Sequence, residues 1–380
     1  MRSSIAHFAT EIEERRPGMT RLLRIIEPNL TGNAGHYAEL VRCLALGSEH
    51  RLDRVVALGG QGIEDVSLLT HPRIERRAVF GGPDGTGEYS VLGACARDPS
   101  TPCLVLTAKA MNALALERWS WGNRPLRHMS LLFHWRETGL LKRMALLAAR
   151  CPRRDVRAIA PTRQTADFLR CRGWHDVVEV PYPVLGPSSL PASFPRPARL
   201  LVAGAARLNK GIALVADLAE GLARGGDAPP MLVQTTGKRG GRHGRQEADS
   251  LERLHRCKWS GLHLDPSAPN RSMYAARFEG ALVLTPYDPQ KFADNVSGIA
   301  LDALLHAAPI VATAGTWQAE LISRFDCGII MRDWSSTSLM TAVDEALVRW
   351  TDISRAASVA AQQLAHEHDP RHLVDAVLDR

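Results

Sequence analysis

Short apolar runs alternate along the chain with longer stretches whose apolar residues recur every third or fourth position. In the first half the runs are Arg21 to Glu27 (RLLRIIE), Arg54 to Leu58, Cys103 to Thr107, Ser130 to Phe133 and Val156 to Pro161. In the second half they are Arg199 to Ala203, Met231 to Thr235, Gly261 to Leu264, Ala281 to Thr285 and Ile310 to Thr313. Runs this short and this apolar predict strands buried on both faces of a parallel sheet, with the periodic stretches between them as crossover helices. Among the predicted helices are Gly139 to Ala149, Ile212 to Ala223, Arg271 to Phe278, Thr337 to Trp350 and Ser354 to His366.

Two stretches interrupt the alternation and set the expected domain limits. Residues 1–20 lack an apolar period and read as a flexible lead-in, so the first domain begins at residue 21 and runs to 180. Between Pro181 and Pro197 stand six prolines, at 181, 183, 187, 191, 195 and 197. A chain so rich in proline builds neither a helix interior nor a central strand, and 181–197 reads as a semi-rigid linker. A second domain then covers 198–350. Residues 351–380 form a helical tail, expected to cross back onto the first domain.

The pattern is most informative between Thr285 and Thr313, TPYDPQKFADNVSGIALDALLHAAPIVAT. It reads as strand, Pro-rich loop, helix from near Val296 to Ala308, strand. In a parallel sheet such a loop lies at the carboxyl end of its strand, and the helix after it aims unpaired N–H groups, those of Ser297, Gly298 and Ile299, at an anion. Two carboxylates flank these amides with seven residues between them, Asp294 before the helix and Asp302 in its second turn. A second pattern, GAARLNKG, follows the strand at Arg199. It places Arg207 and Lys210 three apart on a glycine-bounded turn, where two cations can grip a diphosphate.

The segment around Asp294 and Asp302 resembles the E-x7-E region of retaining GT-B glycosyltransferases, family four above all: an acid, seven residues, an acid, then AL..A.PIVAT. The turn at Arg207 is similar to the G-x-x-R-x-x-K-G turn of the same family. This chain departs from the pattern in having Asp, one methylene shorter, at both acid positions. The resemblance implies a GT-B fold, two Rossmann-like α/β domains facing each other across a cleft. It also implies transfer of a sugar from a nucleoside-diphosphate donor, with retention. It gives Arg207 and Lys210 to the donor pyrophosphate, Asp302 to the ribose and Asp294 to the transferred sugar.

The first half carries fewer signals. Gly32 and Gly35 precede His36 and a helix with Tyr37, Leu40, Val41 and Leu44 on one face. This is the first βα turn of a Rossmann-like half, open to a ligand's backbone approach or simply a turn. His134 ends the strand SLLFH and so reaches the sheet's carboxyl edge. It corresponds to the strand-end histidine that family-four enzymes use near the reacting sugar, and a packed histidine bonded to backbone is the other reading. The glycine-dense segment Gly81 to Ser90 lacks the Lys-Ser/Thr of a P-loop and reads as a surface loop. The basic loop after Met231 to Thr235, with Lys238, Arg239, Arg242 and His243, either closes over an anionic donor or is surface.

Charge and cysteine narrow the class. The first 180 residues carry 26 Lys and Arg against 19 Asp and Glu, and the remaining 200 are balanced at 21 each, so the whole formal excess of +7 lies in the N-terminal half. No helix-turn-helix, finger or aromatic sheet motif accompanies this bias, which argues against nucleic acid. Between Arg118 and Arg172 the basic residues, among them Arg124, Arg127, Lys142, Arg143, Arg150, Arg153, Arg154 and Arg157, are interleaved with Trp119, Trp121, Trp135 and a leucine-rich helix. An anionic membrane surface and a lipid-linked or glycan acceptor fit that mixture, and so does a packed helix with a solvated basic face. Seven scattered cysteines without a C-x-x-C indicate neither a disulfide framework nor zinc. No D-x-D triplet is present, so no metal and no cofactor beyond the nucleotide-sugar donor is expected. The absence of an apolar leader or a membrane-length run predicts a cytoplasmic protein, peripheral on the inner membrane face at most. A catalytically silent protein of the same fold, binding nucleotide or glycan as a scaffold, is the alternative.

Overall fold

The structure is a computed structural model and describes residues 21–32, 36–81, 87–120, 125–187, 189, 194–225, 228–236, 244–267 and 270–379. The chain divides into two compact units. One runs to Leu185 and takes back the segment from His368; the other is Gly186–Glu367.

In the first unit the strands are β1 (Leu22–Ile26), β2 (Arg54–Gly60), β3 (Ile74–Phe80), β4 (Cys103–Val105), β5 (Met129–Leu132), β6 (Arg157–Ala160) and β7 (Val177–Glu179). They form one sheet in the order β3-β2-β1-β4-β5-β6-β7, and every pair is parallel. The central β1 is buried along its whole length. Its one charged residue, Arg24, is neutralised by Asp98 at 2.6 Å, as a buried cation requires. Apolar clusters cover both faces of the sheet, one built on Ile26, Val105, Leu131 and Phe133, the other on Leu23, Ile25, Leu104 and Ile159.

The second face is completed from the far end of the chain. Leu373, Val374 and Val377 of the helix Pro370–Leu378 join its cluster. Gly47, at the end of the helix Tyr37–Gly47, lets that helix come close, since a Cβ there would sit 2.7 Å from the Cβ of Pro370. Arg51 then bonds Asp375 at 2.8 Å and Asp379 at 2.6 Å. The stretch expected as a tail, 351–380, therefore falls in two. The helix Trp350–Glu367 stays with the second unit, packed on Gly298–Leu305, and only the last helix belongs to the first.

The second unit repeats the plan with β8 (Arg199–Val202), β9 (Met231–Gln234), β10 (Leu262–Asp265), β11 (Ala281–Thr285), β12 (Ile310–Thr313) and β13 (Gly328–Met331), ordered β10-β9-β8-β11-β12-β13 and again all parallel. In both sheets the order reverses beside the first strand, between β1 and β4 and between β8 and β11. Crevices at the carboxyl ends of such strand pairs are where open α/β sheets bind ligands.

Three strands escaped the apolar pattern. β3 (IERRAVF) carries Glu75, Arg76 and Arg77, half-buried along its middle, and lies at a sheet edge, where charge is tolerated and blunts further pairing. β7 and β13 are edge strands too, of three and four residues. No helix among the described residues is long and apolar enough to cross a membrane.

Candidate functional site

In the second unit the sheet reverses where the predicted residues lie. The chain leaves β8 through Gly204, whose φ of 85° is left-handed and whose N–H donates to Oε1 of Gln234 at 2.8 Å. A Cβ at this position would lie 3.3 Å from Nζ of Lys210 and 3.3 Å from Cδ1 of Ile299. The exit from β8, the lysine ammonium and the first turn of the helix Gly298–Leu305 therefore converge on one spot.

Lys210 is held there by its own turn. Arg207 is extended, Leu208–Lys210 forms a single tight turn, and Gly211 ends it with φ 78°. A Cβ at Gly211 would lie 2.2 Å from the carbonyl oxygen of Pro286, so only glycine allows the turn to sit against the loop after β11. That loop answers with a hydrogen bond from the N–H of Asp288 to the carbonyl of Asn209, 3.0 Å. Nζ of Lys210 lies 5.2 Å from the ring centroid of Tyr287, which offers the cation its negative face. Nε of the half-buried Arg207 is itself buried and has no hydrogen-bond partner.

On the facing side Ser297 caps its helix by accepting the N–H of Ala300 at 3.3 Å. The amides of Gly298 and Ile299 are those a helix start leaves without a carbonyl of its own. Gly298 is exposed, and nothing lies within 4 Å of a Cβ built on it. Lys210 and a helix N-terminus lie about a glycine backbone, with Arg207 on the same turn as Lys210, an arrangement of the kind that suits an anion with several oxygens.

The two carboxylates go different ways. Oδ2 of Asp302 accepts a hydrogen bond from the hydroxyl of Tyr274 at 2.7 Å. Burial, and then the Asp302 charge, push the Tyr274 hydroxyl well above its ordinary range, so it remains a donor. Beside them His306 stacks on Phe278 with ring centroids 5.4 Å apart and holds the Asp302 carbonyl through Nδ1 at 2.7 Å. Asp294 lies instead near Glu320 of the helix Trp317–Phe325; burial, and then the Asp294 charge, raise that residue's carboxyl. Tyr274, Tyr287 and Gln234 had no motif to announce them. Their only signal was position: Gln234 ends β9, Tyr287 lies just beyond β11, and Tyr274 stands on the short helix Arg271–Ala276 that precedes β11.

In the first unit the predicted residues meet in a ring cluster. His36, directly before the helix Tyr37–Gly47, lies 5.7 Å from His134 and 6.3 Å from Tyr182 between ring centroids. His134 lies 5.6 Å from Tyr182 and 5.7 Å from Trp135. Nε2 of His134 is 2.7 Å from the carbonyl oxygen of Leu106. A carbonyl only accepts, so this nitrogen carries the proton. Burial lowers the pKa to about 4, which leaves a neutral imidazole whose Nδ1 is an acceptor. His134 is thus packed and bonded to backbone, at the end of the strand Met129–Leu132.

At the end of β1 the buried Glu27 receives both the N–H and the side-chain amide of Asn29, each at 2.9 Å, and burial raises its pKa. Gly32 stands in open space. Gly35, the loop with Lys238, Arg239, Arg242 and His243, the lead-in 1–20, and Trp121 and Arg124 lie outside the described residues. Among the described residues no group of three or more His, Cys, Asp or Glu could hold a metal ion.

No protein-family profile matches the chain, and no curated protein does. Solved structures do match it over nearly its whole length. Anabaena HepE in complex with UDP-glucose is 14% identical, with a TM-score of 0.68, over 94% of this chain and 98% of that one. Sucrose-phosphate synthase from Thermosynechococcus elongatus is 12% identical, with a TM-score of 0.69, over 94% and 97%. WaaG, a glycosyltransferase involved in lipopolysaccharide biosynthesis, is 14% identical, with a TM-score of 0.66, over 94% and 100%. At such identities the likeness establishes the fold: two Rossmann-like α/β domains of the GT-B type.

Proposed function

We propose that the chain is a glycosyltransferase that moves a sugar from a nucleoside-diphosphate donor to a glycan or lipid-linked acceptor in surface polysaccharide or glycolipid synthesis. The observation that carries this reading is the convergence of Lys210, the backbone at Gly204 and the helix start at Ile299 at the reversal of the second sheet. Breaking the bond between an anomeric carbon and a diphosphate sends an electron pair, and with it negative charge, onto the leaving phosphate. Fixed cations and aligned N–H donors stabilise that charge as it develops. Arg207, Lys210 and the amides of Gly298 and Ile299 are the groups placed to supply them, without recourse to a metal.

In this reading Asp302, steadied by Tyr274, accepts hydroxyls of the donor ribose, and Asp294 those of the transferred sugar. His134, neutral and fixed as the Nε2–H tautomer, accepts a hydrogen bond from a hydroxyl of a substrate sugar at Nδ1, and the loop from Gly32 to His36 serves the acceptor or a phosphate. Transfer proceeds with retention by front-face attack. The acceptor oxygen bonds the anomeric carbon on the side the diphosphate leaves, and its proton passes to the departing phosphate oxygen. UDP-sugars are the first donors to test, since Anabaena HepE has been seen with UDP-glucose. With a lipid-linked acceptor the chain would act at the inner face of a membrane.

A panel of nucleotide sugars, screened by thermal shift and then for slow release of nucleoside diphosphate, tests the proposal. The expected outcome is stabilisation by one nucleotide class and turnover of one donor. Stabilisation without turnover by any donor and acceptor extract would leave a nucleotide-binding scaffold instead. Lys210→Ala should weaken nucleoside-diphosphate binding by about tenfold to a hundredfold, the range for a lost hydrogen bond between charged groups. Unchanged affinity by calorimetry would remove the diphosphate from this turn.

A further inference from the structure

The helix Leu140–Ala148 is apolar on two opposite sides. Ala145 and Leu146 face inward and join the first unit's core, together with Ala149. The other side carries Leu140, Met144 and Leu147, one turn apart, with Leu141 at its border. These four are 74%, 58%, 46% and 85% exposed. A surface helix ordinarily turns charged and polar residues outward. Twelve large hydrophobic residues are exposed among those described, and five of them, Trp135 included, fall between 135 and 147. Scattered single exposures need no explanation, but a stripe along one helix does.

The setting of the stripe is basic. Arg136 precedes the helix, Lys142 and Arg143 lie on it, and Arg150 and Arg154 follow, all exposed. The acids nearby are already engaged. Glu137 is buried and takes Lys142 at 3.2 Å and the indole N–H of Trp135 at 3.1 Å, Asp155 pairs with Arg154 at 3.0 Å, and Glu117 accepts the N–H of Cys151 at 2.7 Å.

We propose that this face docks on the surface of an anionic phospholipid bilayer. Leu140, Leu141, Met144 and Leu147 enter the boundary between headgroups and acyl chains, Trp135 lies at headgroup level, and Arg136, Arg143 and Arg150 face the lipid phosphates. Charge complementarity selects this occupant: an apolar stripe bordered on its own helix and on both flanking segments by arginine matches a surface that is apolar inside and negative at its rim. At nine residues the helix lies on a bilayer and does not cross it. The docking needs no donor or acceptor, so it stands or falls apart from the transferase reading.

Sedimentation of the full chain with phosphatidylcholine vesicles, with and without phosphatidylglycerol, tests it. Binding is expected only with phosphatidylglycerol and should weaken as salt rises. The double variant Leu141→Asp/Met144→Asp, whose side chains point away from the core and whose melting temperature should match the parent's, should bind at least about tenfold more weakly. Arg143→Gln should lose about fivefold, the share of one basic residue near an anionic surface. No binding to phosphatidylglycerol vesicles, equal binding to both vesicle types, or undiminished binding by the double variant would overturn the proposal. So would a dimer in light scattering that the double variant abolishes, since the occupant would then be a second copy of the chain.

Discussion

The two units share a plan, parallel strands with the order reversing beside the first one, but they furnish the carboxyl ends of their strands in opposite ways. In the second unit the reversal point brings Lys210 and a helix N-terminus against a glycine backbone, with Arg207 on the same turn as Lys210. In the first unit the segments after β5 and β7 and the start of the helix Tyr37–Gly47 bring together rings and a neutral, buried imidazole, His36, His134, Tyr182 and Trp135, and Glu27 is buried at the end of β1. Net charge runs the other way, because the whole formal excess of +7 lies in the first half of the chain. Overall charge therefore does not locate a site. What locates one is whether the charge is held by a turn at the sheet's reversal point or spread over helices facing solvent.

His134 gives the largest test of this contrast. Its pKa in the folded chain is about 4, against 6.5 for an unperturbed histidine. A depressed histidine is neutral when folded and binds its proton more readily when unfolded. Its contribution is thus complete above pH 6.5 and is lost as the pH falls toward 4. The loss amounts to about 3 kcal/mol across that window. Urea midpoints of the wild type and His134→Gln, followed from pH 8 to 4.5, should show a shallower acid decline in the variant. Parallel declines would mean that the imidazole titrates alike in the folded and the unfolded chain and that burial does not hold it neutral.

Gly204→Val is the corresponding test in the second unit. A β-branched residue at φ 85° costs about 1 to 2 kcal/mol in backbone strain, and its Cβ enters the space shared by Lys210 and Ile299. Lower thermal stability and loss of nucleotide binding are expected together. Lowered stability with intact affinity would place the ligand away from this backbone. Tyr274→Phe asks less, removing only the hydroxyl that Asp302 accepts. A rise of about fivefold in the donor's Kd, roughly 1 kcal/mol, is expected, with affinity for free inorganic diphosphate unchanged. Equal weakening of both would show that the tyrosine supports the fold and not the ribose contact.

The contrast also governs what could be read from the residues alone. The second unit's turn and helix start are short-range patterns: GAARLNKG and the Asp294 to Asp302 spacing each lie on one loop and the start of its helix, so the chemistry is written consecutively. The strands read as buried apolar runs were found for the same reason. The ring cluster of the first unit joins His36, the end of β5 and Tyr182, segments far apart in sequence; His36 and His134 were each legible in their own segment, but Tyr182 and the meeting of the three were not. β3 was lost because an edge strand obeys a different rule from a buried one. The exposed stripe on Leu140–Ala148 was hidden by its own composition, since a leucine-rich helix reads the same whether its second apolar face is covered or not.

The smallest predicted effect separates the units by backbone strain. In the first unit every described residue with positive φ is a glycine, Gly62, Gly87 and Gly173; in the second, Ala307 (φ 54°) and Asp326 (φ 52°) take the same conformation with side chains. Asp326 is compensated, since its carboxylate receives two bonds from Arg349 at 2.9 and 3.1 Å. Ala307 has only its N–H bond to Leu304 at 2.9 Å, and its methyl cannot return the roughly 1 kcal/mol or more that the left-handed region costs an alanine. Glycine would remove this cost and give back part of it through a freer unfolded chain, roughly 0.4 to 1 kcal/mol. Ala307→Gly should therefore raise the urea midpoint slightly, by the equivalent of about 0.5 kcal/mol, with the denaturant slope unchanged. The turn at Ala307 ends the helix that begins at Gly298, so nucleotide affinity should rise or hold with it. A variant that is more stable yet binds more weakly would show that the strain sets the position of the helix start.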